Sequence, residues 1–428
     1  MKEYKDLAQY AIEQLKRQGA QDISCYVSID TNTEASYEQG DFSMLRTFQS
    51  SELCLKGVAN QQAAEVRISS PTRETVDRAV EECAAQIRRA AADPYEGIAE
   101  KAVRQNFCRG PEGPDVDAML YGIQQLMNEE EQAGETLLEP YTLVHRLRQE
   151  VCLNTNGVEL ESCLGFYSTG LEQSTSSHTA DISHGLSALK QMEEPYQRSI
   201  WKSEPITLSE SFDGTLIFSP RMLRLYWWLN HMGPFSPDAT IGFRGKRKHL
   251  WVNKFGQQVT SPCFNLSNRP LDENVCCSSP FSPEGYLSQN TDLIKDGILQ
   301  ELLYTGRCAR ALGREANCAA SREGILITNT FIQPGKQSIR DMISGVEKGV
   351  LVHSLKGTIP REESGDFSGL AVNALLIKNG EIQGLLKNTT IRGNFYDMHQ
   401  NIRGLSRERW YTGNDAIPWI AFNGLTIE

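Results

Sequence analysis

The pair Asn379-Gly380 constrains this chain more than any other stretch, because it lies between two apolar runs, 375–377 and 382–386. A two-residue type I′ turn needs positive φ at both central positions, and Asn-Gly meets that demand at the lowest steric cost, so the stretch predicts a β-hairpin. The design recurs upstream: residues 293–303 match 376–386 at seven of eleven positions, with Asp296-Gly297 in the turn. Two near-copies of one hairpin imply a sheet built from similar units. The flanks differ, so no full domain duplication is read from them.

The remaining punctuation places a mixed N-terminal half before a β-rich C-terminal half. Tyr4, Leu7, Ala8, Ala11, Ile12 and Leu15 fall at helical spacing and end at Gly19. Residues 23–29 alternate like a half-buried strand, and the β-rich segment runs to Ile68 with Gly40-Asp41 and Gly57 as turn points. Ser70 as cap and Pro71 in the first turn open a helix whose inner face is Val76, Ala79, Val80, Cys83, Ala84 and Ile87. Residues 93–115 read as loop, and 116–132 as a third helix striped by Met119, Leu120, Ile123, Leu126 and Met127. A second hairpin centres on Asn156-Gly157, and the polar run 174–184 reads as strand edge or loop.

Pro195 and Pro205 interrupt the chain and set the expected boundary, with an α+β domain over 1–195 and a mainly antiparallel β domain over 206–428. In the second domain Pro220 starts a helix. Strands are expected at 214–218, 250–253, 325–328, 349–355, 375–377 and 419–422, with short helices at 337–344 and 395–402.

The formal net charge of −11 argues against nucleic acid as main partner, since a phosphate backbone would be repelled. The basic run Arg244, Lys246, Arg247, Lys248 and His249 is short, holds Gly245, and reads as a solvated loop. No apolar run is long enough to span a bilayer, and the first residues lack a signal-peptide core. The eleven cysteines form no Cys-x-x-Cys pair, so reduced thiols in the cytoplasm is the simplest expectation.

Motif by motif, chemistry is hard to find. None of the seven histidines forms His-Glu-x-x-His, so no metal site or cofactor is expected from spacing. There is no Gly-x-Ser-x-Gly elbow and no phosphate-binding loop. Gly-Asp-Phe-Ser at 365–368 puts an acid beside a hydroxyl, but Asp and Ser also hold ordinary bends by bonding nearby amides.

Taken together, several blocks resemble the PmbA/TldD family. They are Gly365, Asp366, Phe367 and Ser368, then Asn379 and Gly380 in Ile-Lys-Asn-Gly-Glu-Ile, then Gly393 and Asn394 in Thr-Ile-Arg-Gly-Asn. Ser-Pro-Phe-Ser-Pro-Glu-Gly at 279–285, the hairpin at 293–299 and Asn154 to Gly157 are similar to further family blocks. The first-named eight residues are expected to form a peptide-binding or structural motif.

The resemblance implies a cytoplasmic protease system known as a modulator of DNA gyrase, with two related subunits. The TldD type carries a zinc-binding His-Glu-x-x-x-His; the PmbA type, also called TldE, lacks it and pairs with the first. Here Phe218, Ser219 and Leu223 stand where the ligands would be, which implies the PmbA type, no catalytic residue and no metal. Departures exist: Phe281-Ser282-Pro283-Glu284 lacks the family's Asp, and Cys308 to Gly313 matches Ser-Ala-Arg-Lys-Leu-Gly in part. The expected function is a non-catalytic subunit that helps hold an extended peptide, paired with a TldD-type subunit or with itself. Two alternatives stand beside it: a stand-alone hydrolase using Asp366, Glu363 and His353, and a homodimeric peptide-binding protein.

Overall fold

The computed structural model describes the whole chain apart from residues 39–40, 133–140, 172–174, 180–203, 221, 224–250, 252–253, 273–277, 318–319, 322–323, 326–328, 358–363 and 412–414. Among the described residues, strands dominate and fall into two large sheets. The first contains β1 (Asp22–Glu38), β2 (Asp41–Ala59), β3 (Gln62–Ser69), β4 (Val103–Arg109), β5 (Tyr141–Asn154), β6 (Val158–Leu171) and β7 (Thr175–Thr179). Its order is β3-β2-β1-β5-β6-β4, with β7 also on β6. Only β4 runs parallel to its neighbour, β6.

Pleating sorts the side chains of this sheet onto two faces. Ile23, Cys25, Val27 and Ile29 of β1 and Leu53 and Leu55 of β2 meet α1 (Lys2–Arg17) and α2 (Arg73–Ile87) in one buried cluster. The predicted inner faces of both helices are the ones buried. Helix α3 (Val116–Gln132) covers the far end, where Met119 and Ile123 pack on Ala35, Tyr37 and Leu143. The opposite face, carrying Tyr26, Cys152, Val158 and Leu160, packs against Phe281 and Tyr286 of the second half.

That second half begins with β8 (Phe212–Phe218), β9 (Leu266–Asn268), β10 (Thr291–Lys295) and β11 (Ile298–Leu299). Helix α4 (Gly306–Leu312) and the ribbon β12 (Ala320–Ser321) and β13 (Gly324–Ile325) follow, then β14 (Thr330–Ile332), α5 (Ile339–Ser344) and β15 (Lys348–Gly357). The chain ends with β16 (Asp366–Lys378), β17 (Glu381–Leu385), β18 (Thr390–Asn394), α6 (Phe395–Gln400), β19 (Ile402–Tyr411) and β20 (Ala416–Ile427). The pairings β8–β15, β15–β16, β16–β18, β18–β20 and β20–β8 form a closed circuit, a small barrel. Alternate residues line its two sides. Leu216, Phe218, Val350, Val352, Leu376, Ile420 and Phe422 join the large inner cluster. Ile217, Leu351, Leu375, Ile377 and Trp419 meet Ile339, Met342 and Ile343 of α5 on the other side. The half is mainly antiparallel, as expected; among the described strands β8–β15 and β14–β20 run parallel, and so do the isolated bridges Ile206–Leu386 and Gln337–Ser406.

Both twin hairpins are present. Asn379 and Gly380 have φ of 50° and 79°, Asp296 and Gly297 have 50° and 77°, and each pair joins directly opposed strand ends.

Four expectations change. Gly57 is no turn: it lies within β2, opposite Ile23 and Ala64, where a Cβ would come within 2.8 Å of both Leu15 and Ile87. The turn is at Asn60 and Gln61, both with positive φ. The cap of α2 is Thr72, not Ser70, because its hydroxyl accepts from the Thr75 amide and Thr75 answers in a capping box. Residues 103–109, read as loop, form β4, whose inner side chains Val103 and Phe107 pack beneath the second half. Trp251, expected in a strand, sits in a turn; its neighbours Val252 and Asn253 lie outside the described residues, as does most of the boundary region 195–206.

Replacing Gly380 by Ala should destabilise the chain by about 1–3 kcal/mol. The position has positive φ, and a Cβ would lie 2.5 Å from the Ser344 carbonyl oxygen. Asn379→Gly should stay within about 0.5 kcal/mol, and urea midpoints of the two variants compare them directly.

Candidate functional site

The three positions that stand in for metal ligands follow directly from β8. Phe218 is the last residue of that strand, Ser219 follows, and Pro220 opens a helical turn that includes Leu223. Phe218 and Leu223 are fully buried, and the Phe218 ring lies 5.4 Å from Phe422. Full burial of such side chains stabilises by about 1.5–3 kcal/mol each. The Ser219 hydroxyl accepts from the Met222 amide at 3.2 Å, while the Ser219 amide donates to Val352 O at 3.0 Å. Its hydroxyl is therefore used as a helix cap. A phenyl, an isobutyl and one engaged neutral hydroxyl do not fit a zinc ion. Among the described residues no cluster of three His, Cys, Asp or Glu side chains is arranged to hold a metal.

The aromatic packing continues from there. Phe422 lies 5.9 Å from His399, and His399 lies 4.2 Å from Phe395 and 6.4 Å from Trp251. His399 is fully buried, with Nδ1 2.7 Å from Phe395 O. Burial pushes its pKa down to about 4 against the weaker opposite pull of that carbonyl, so the imidazole is neutral near pH 7.

Six of the eight motif residues come together beside α6. Asp366 opposes Asn394 across β16 and β18, and Asn394 Nδ2 donates to Asp366 Oδ1 at 2.9 Å and to Ser364 O at 2.7 Å. Asn394 Oδ1 accepts from the amides of Tyr396 and Asp397 and so caps α6. A Cβ on Gly365 would meet the Tyr396 ring at 2.3 Å, and one on Gly393 would meet Leu425 at 2.0 Å. Phe367 is buried against Gly393; Ser368 opposes Arg392. Asn379 and Gly380 lie at the other end of the 13-residue strand β16, about 40 Å away along an extended chain. The structure thus divides the expected motif into a knot and a distant turn.

The dispersed trio is not assembled either. His353 falls on β15 between Val352 and Ser354, which oppose Ala374 and Val372. That register puts it about 23 Å along β16 from Asp366. Glu363 lies outside the described residues.

A polar joint between the halves had no signal in residue spacing. Lys56 Nζ is 2.6 Å from Glu284 and 3.0 Å from Glu96. Burial lowers the Lys56 pKa, but the two carboxylates outweigh it and hold the ammonium well above its ordinary value. Arg307 pairs with Asp93 at 2.6 Å. Arg310 donates to Tyr95 O at 2.7 Å and also bonds the Tyr286 hydroxyl, which donates to Ile98 O at 3.0 Å. One backbone bond crosses the contact, the Ala99 amide donating to Glu284 O at 3.1 Å, and within the first half Asn154 Nδ2 holds that segment by donating to Ala99 O at 2.8 Å. Gly285, with φ of 85°, lets the chain lie against Val158 and Ala99. Glu284, Gly285, Asn154 and Arg310 all belong to the recognised sequence blocks. The missing signal was the 93–101 segment, which has no regular structure and joins them.

Comparisons with known proteins agree with this architecture. Residues 215–428 match the family model described as the PmbA/TldA metallopeptidase C-terminal domain. A metalloprotease TldD homolog of Haemophilus influenzae is 31% identical over 166 residues, 37% of this chain and 34% of that protein. Metalloprotease PmbA of Escherichia coli O157:H7 is 32% identical over 157 residues, 37% of this chain and 34% of that one. These matches span about a third of the length of each relative. The crystal structure of TldE from Thermococcus kodakarensis superposes with a TM-score of 0.80 over 98% of this chain and 99% of its own; at 19% identity this speaks for the fold alone.

Two outcomes follow from the site. Lys56→Met should cost about 2–4 kcal/mol by leaving two half-buried carboxylates unpaired, and adding Glu284→Gln should recover part of it; denaturant unfolding of the double-mutant cycle measures both. For His399 the folded pKa lies below the ordinary 6.5, so its neutral form stabilises fully above that pH and the contribution fades as pH falls toward 4. The loss is about 2 kcal/mol at pH 5, and His399→Phe should flatten the stability profile between pH 6.5 and 5 by that amount.

Proposed function

Because this chain belongs to the PmbA/TldD family, we propose that it is a non-catalytic, TldE-like subunit that works with a TldD-type metalloprotease in the cytoplasm. The observation that carries the reading is the filling of the positions at and just after the end of β8. Phe218 and Leu223 are core residues and Ser219 is a cap, so the chain spends these positions on packing. The TldD-type partner would supply the zinc and the chemistry. This chain would supply a wall of the chamber and backbone edges for an unfolded or leader-like peptide. Strand addition needs unpaired backbone groups. Residues 41–50 of β2 pair with β1 alone among the described strands, because the Ser70 amide bonds Ser51 O and β3 begins its pairing at Glu52.

A self-paired chain that binds peptide without a protease partner is the second reading, favoured by the same open edge. The stand-alone hydrolase draws no support from the separation of His353 and Asp366.

The purified chain should bind no stoichiometric zinc by elemental analysis and cleave no unfolded peptide alone. Mixed with a TldD-type protein carrying His-Glu-x-x-x-His, it should co-elute and raise peptide cleavage. Zinc at one equivalent with proteolysis by this chain alone would refute the reading. Peptide binding with no co-elution would favour the self-paired alternative.

A further inference from the structure

The outer edge of the first sheet brings two cysteines to the same rung. Cys108 of β4 is directly opposite Cys163 of β6 in a parallel ladder. Paired residues of a parallel ladder point to the same face, and neighbouring strands lie about 4.8 Å apart, inside the Cα window that a disulfide requires. The face is identified by its other rungs. Arg104 opposes Glu159 and reaches it at 3.2 Å, while Val103 and Phe107 turn the other way, into the joint. On β5, Gln149 opposes Cys163 and its amide lies 4.0 Å from the Cys163 sulfur. The Cys108 sulfur lies 3.2 Å from Asn106 Oδ1. Cys108 is exposed and Cys163 partly so; by contrast Cys25, Cys54, Cys83, Cys152 and Cys308 are buried.

We propose that Cys108 and Cys163 form a dithiol site that closes to a disulfide by exchange with a small disulfide of the glutathione type, stapling edge strand β4 to β6. The inference is independent of the protease reading. The exposed Cys108 thiolate attacks one sulfur of the small disulfide, whose S–S bond breaks and releases one thiolate. The Cys163 thiolate then attacks the Cys108 sulfur, the mixed bond breaks, and the second small thiolate leaves. Two protein thiols are oxidised, one small disulfide is reduced, and the two protons pass to the released thiolates. Burial and the neighbouring Cys108 raise the Cys163 pKa, which fits it to the second, resolving step, where proximity replaces thiolate abundance. Strand β4 also anchors the second half, since Arg109 donates to Asp272 O at 2.8 Å, so the staple would fix an edge that contributes to the contact between halves.

The test is a non-reducing peptide map of the full chain, reduced and then exposed to glutathione disulfide, by mass spectrometry. The expected product links the peptides of Cys108 and Cys163 with the loss of two hydrogens, while exposed Cys263 carries glutathione. Cys163→Ser should instead leave a stable glutathione adduct on Cys108. Hydrogen exchange along β4 should slow in the oxidised wild type. A wild-type map with glutathione retained on Cys108, or with both thiols free while Cys263 has reacted, overturns the proposal, and so does β4 exchange that is unchanged by oxidation. The wild-type map decides even if a variant fails to fold.

Discussion

The second half depends on the closure of one strand circuit. β8, β15, β16, β18 and β20 hydrogen-bond in a ring, so these strands present few free edges, and their buried apolar residues divide between two clusters on opposite sides. The strand ends carry exposed polar residues such as Asp213, Asp366 and Arg392, but a polar side chain at the position of Phe218 would be buried. This is why the end of β8 is decisive. A ligand set there would need oxygen or nitrogen donors aimed into an apolar layer. The chain supplies Phe218 and Leu223 instead, continuous with Phe422, His399 and Phe395. Even the imidazole packed among these rings is held neutral.

Local rules were legible in the sequence wherever one residue type had a single conformational use. Asn379-Gly380 and Asp296-Gly297 specified their turns, and the helical stripes of α1 and α2, with Met119, Leu120 and Ile123 of α3, located buried faces. The misses share a cause. Gly57 was read by its backbone freedom, but its value is the absence of a side chain beneath two helices. Strand β4 was hidden by the prolines and glycines around it, and its pairing partner lies some fifty residues on. Barrel closure joins β8 to β20 across almost the whole second half, a contact that no local pattern encodes.

The candidate site was legible in part. Spacing alone offered no active site, and resemblance pointed to Phe218, Ser219 and Leu223, of which the fold buries the first and last in the core and uses Ser219 as a cap. The Gly-Asp-Phe-Ser and Gly-Asn blocks were read as one motif with Asn379-Gly380, yet only the first two meet. Their shared purpose is visible in the bonds of Asn394, which ties the Ser364–Asp366 bend to the first turn of α6.

Gly285, at positive φ, brings the second half close against Val158 and Ala99, and Glu284 beside it neutralises Lys56 from the other half. These recognised letters of the chain are thus carpentry: they encode how two blocks are mortised. Kinship read from such letters certifies the frame and is silent about the blade.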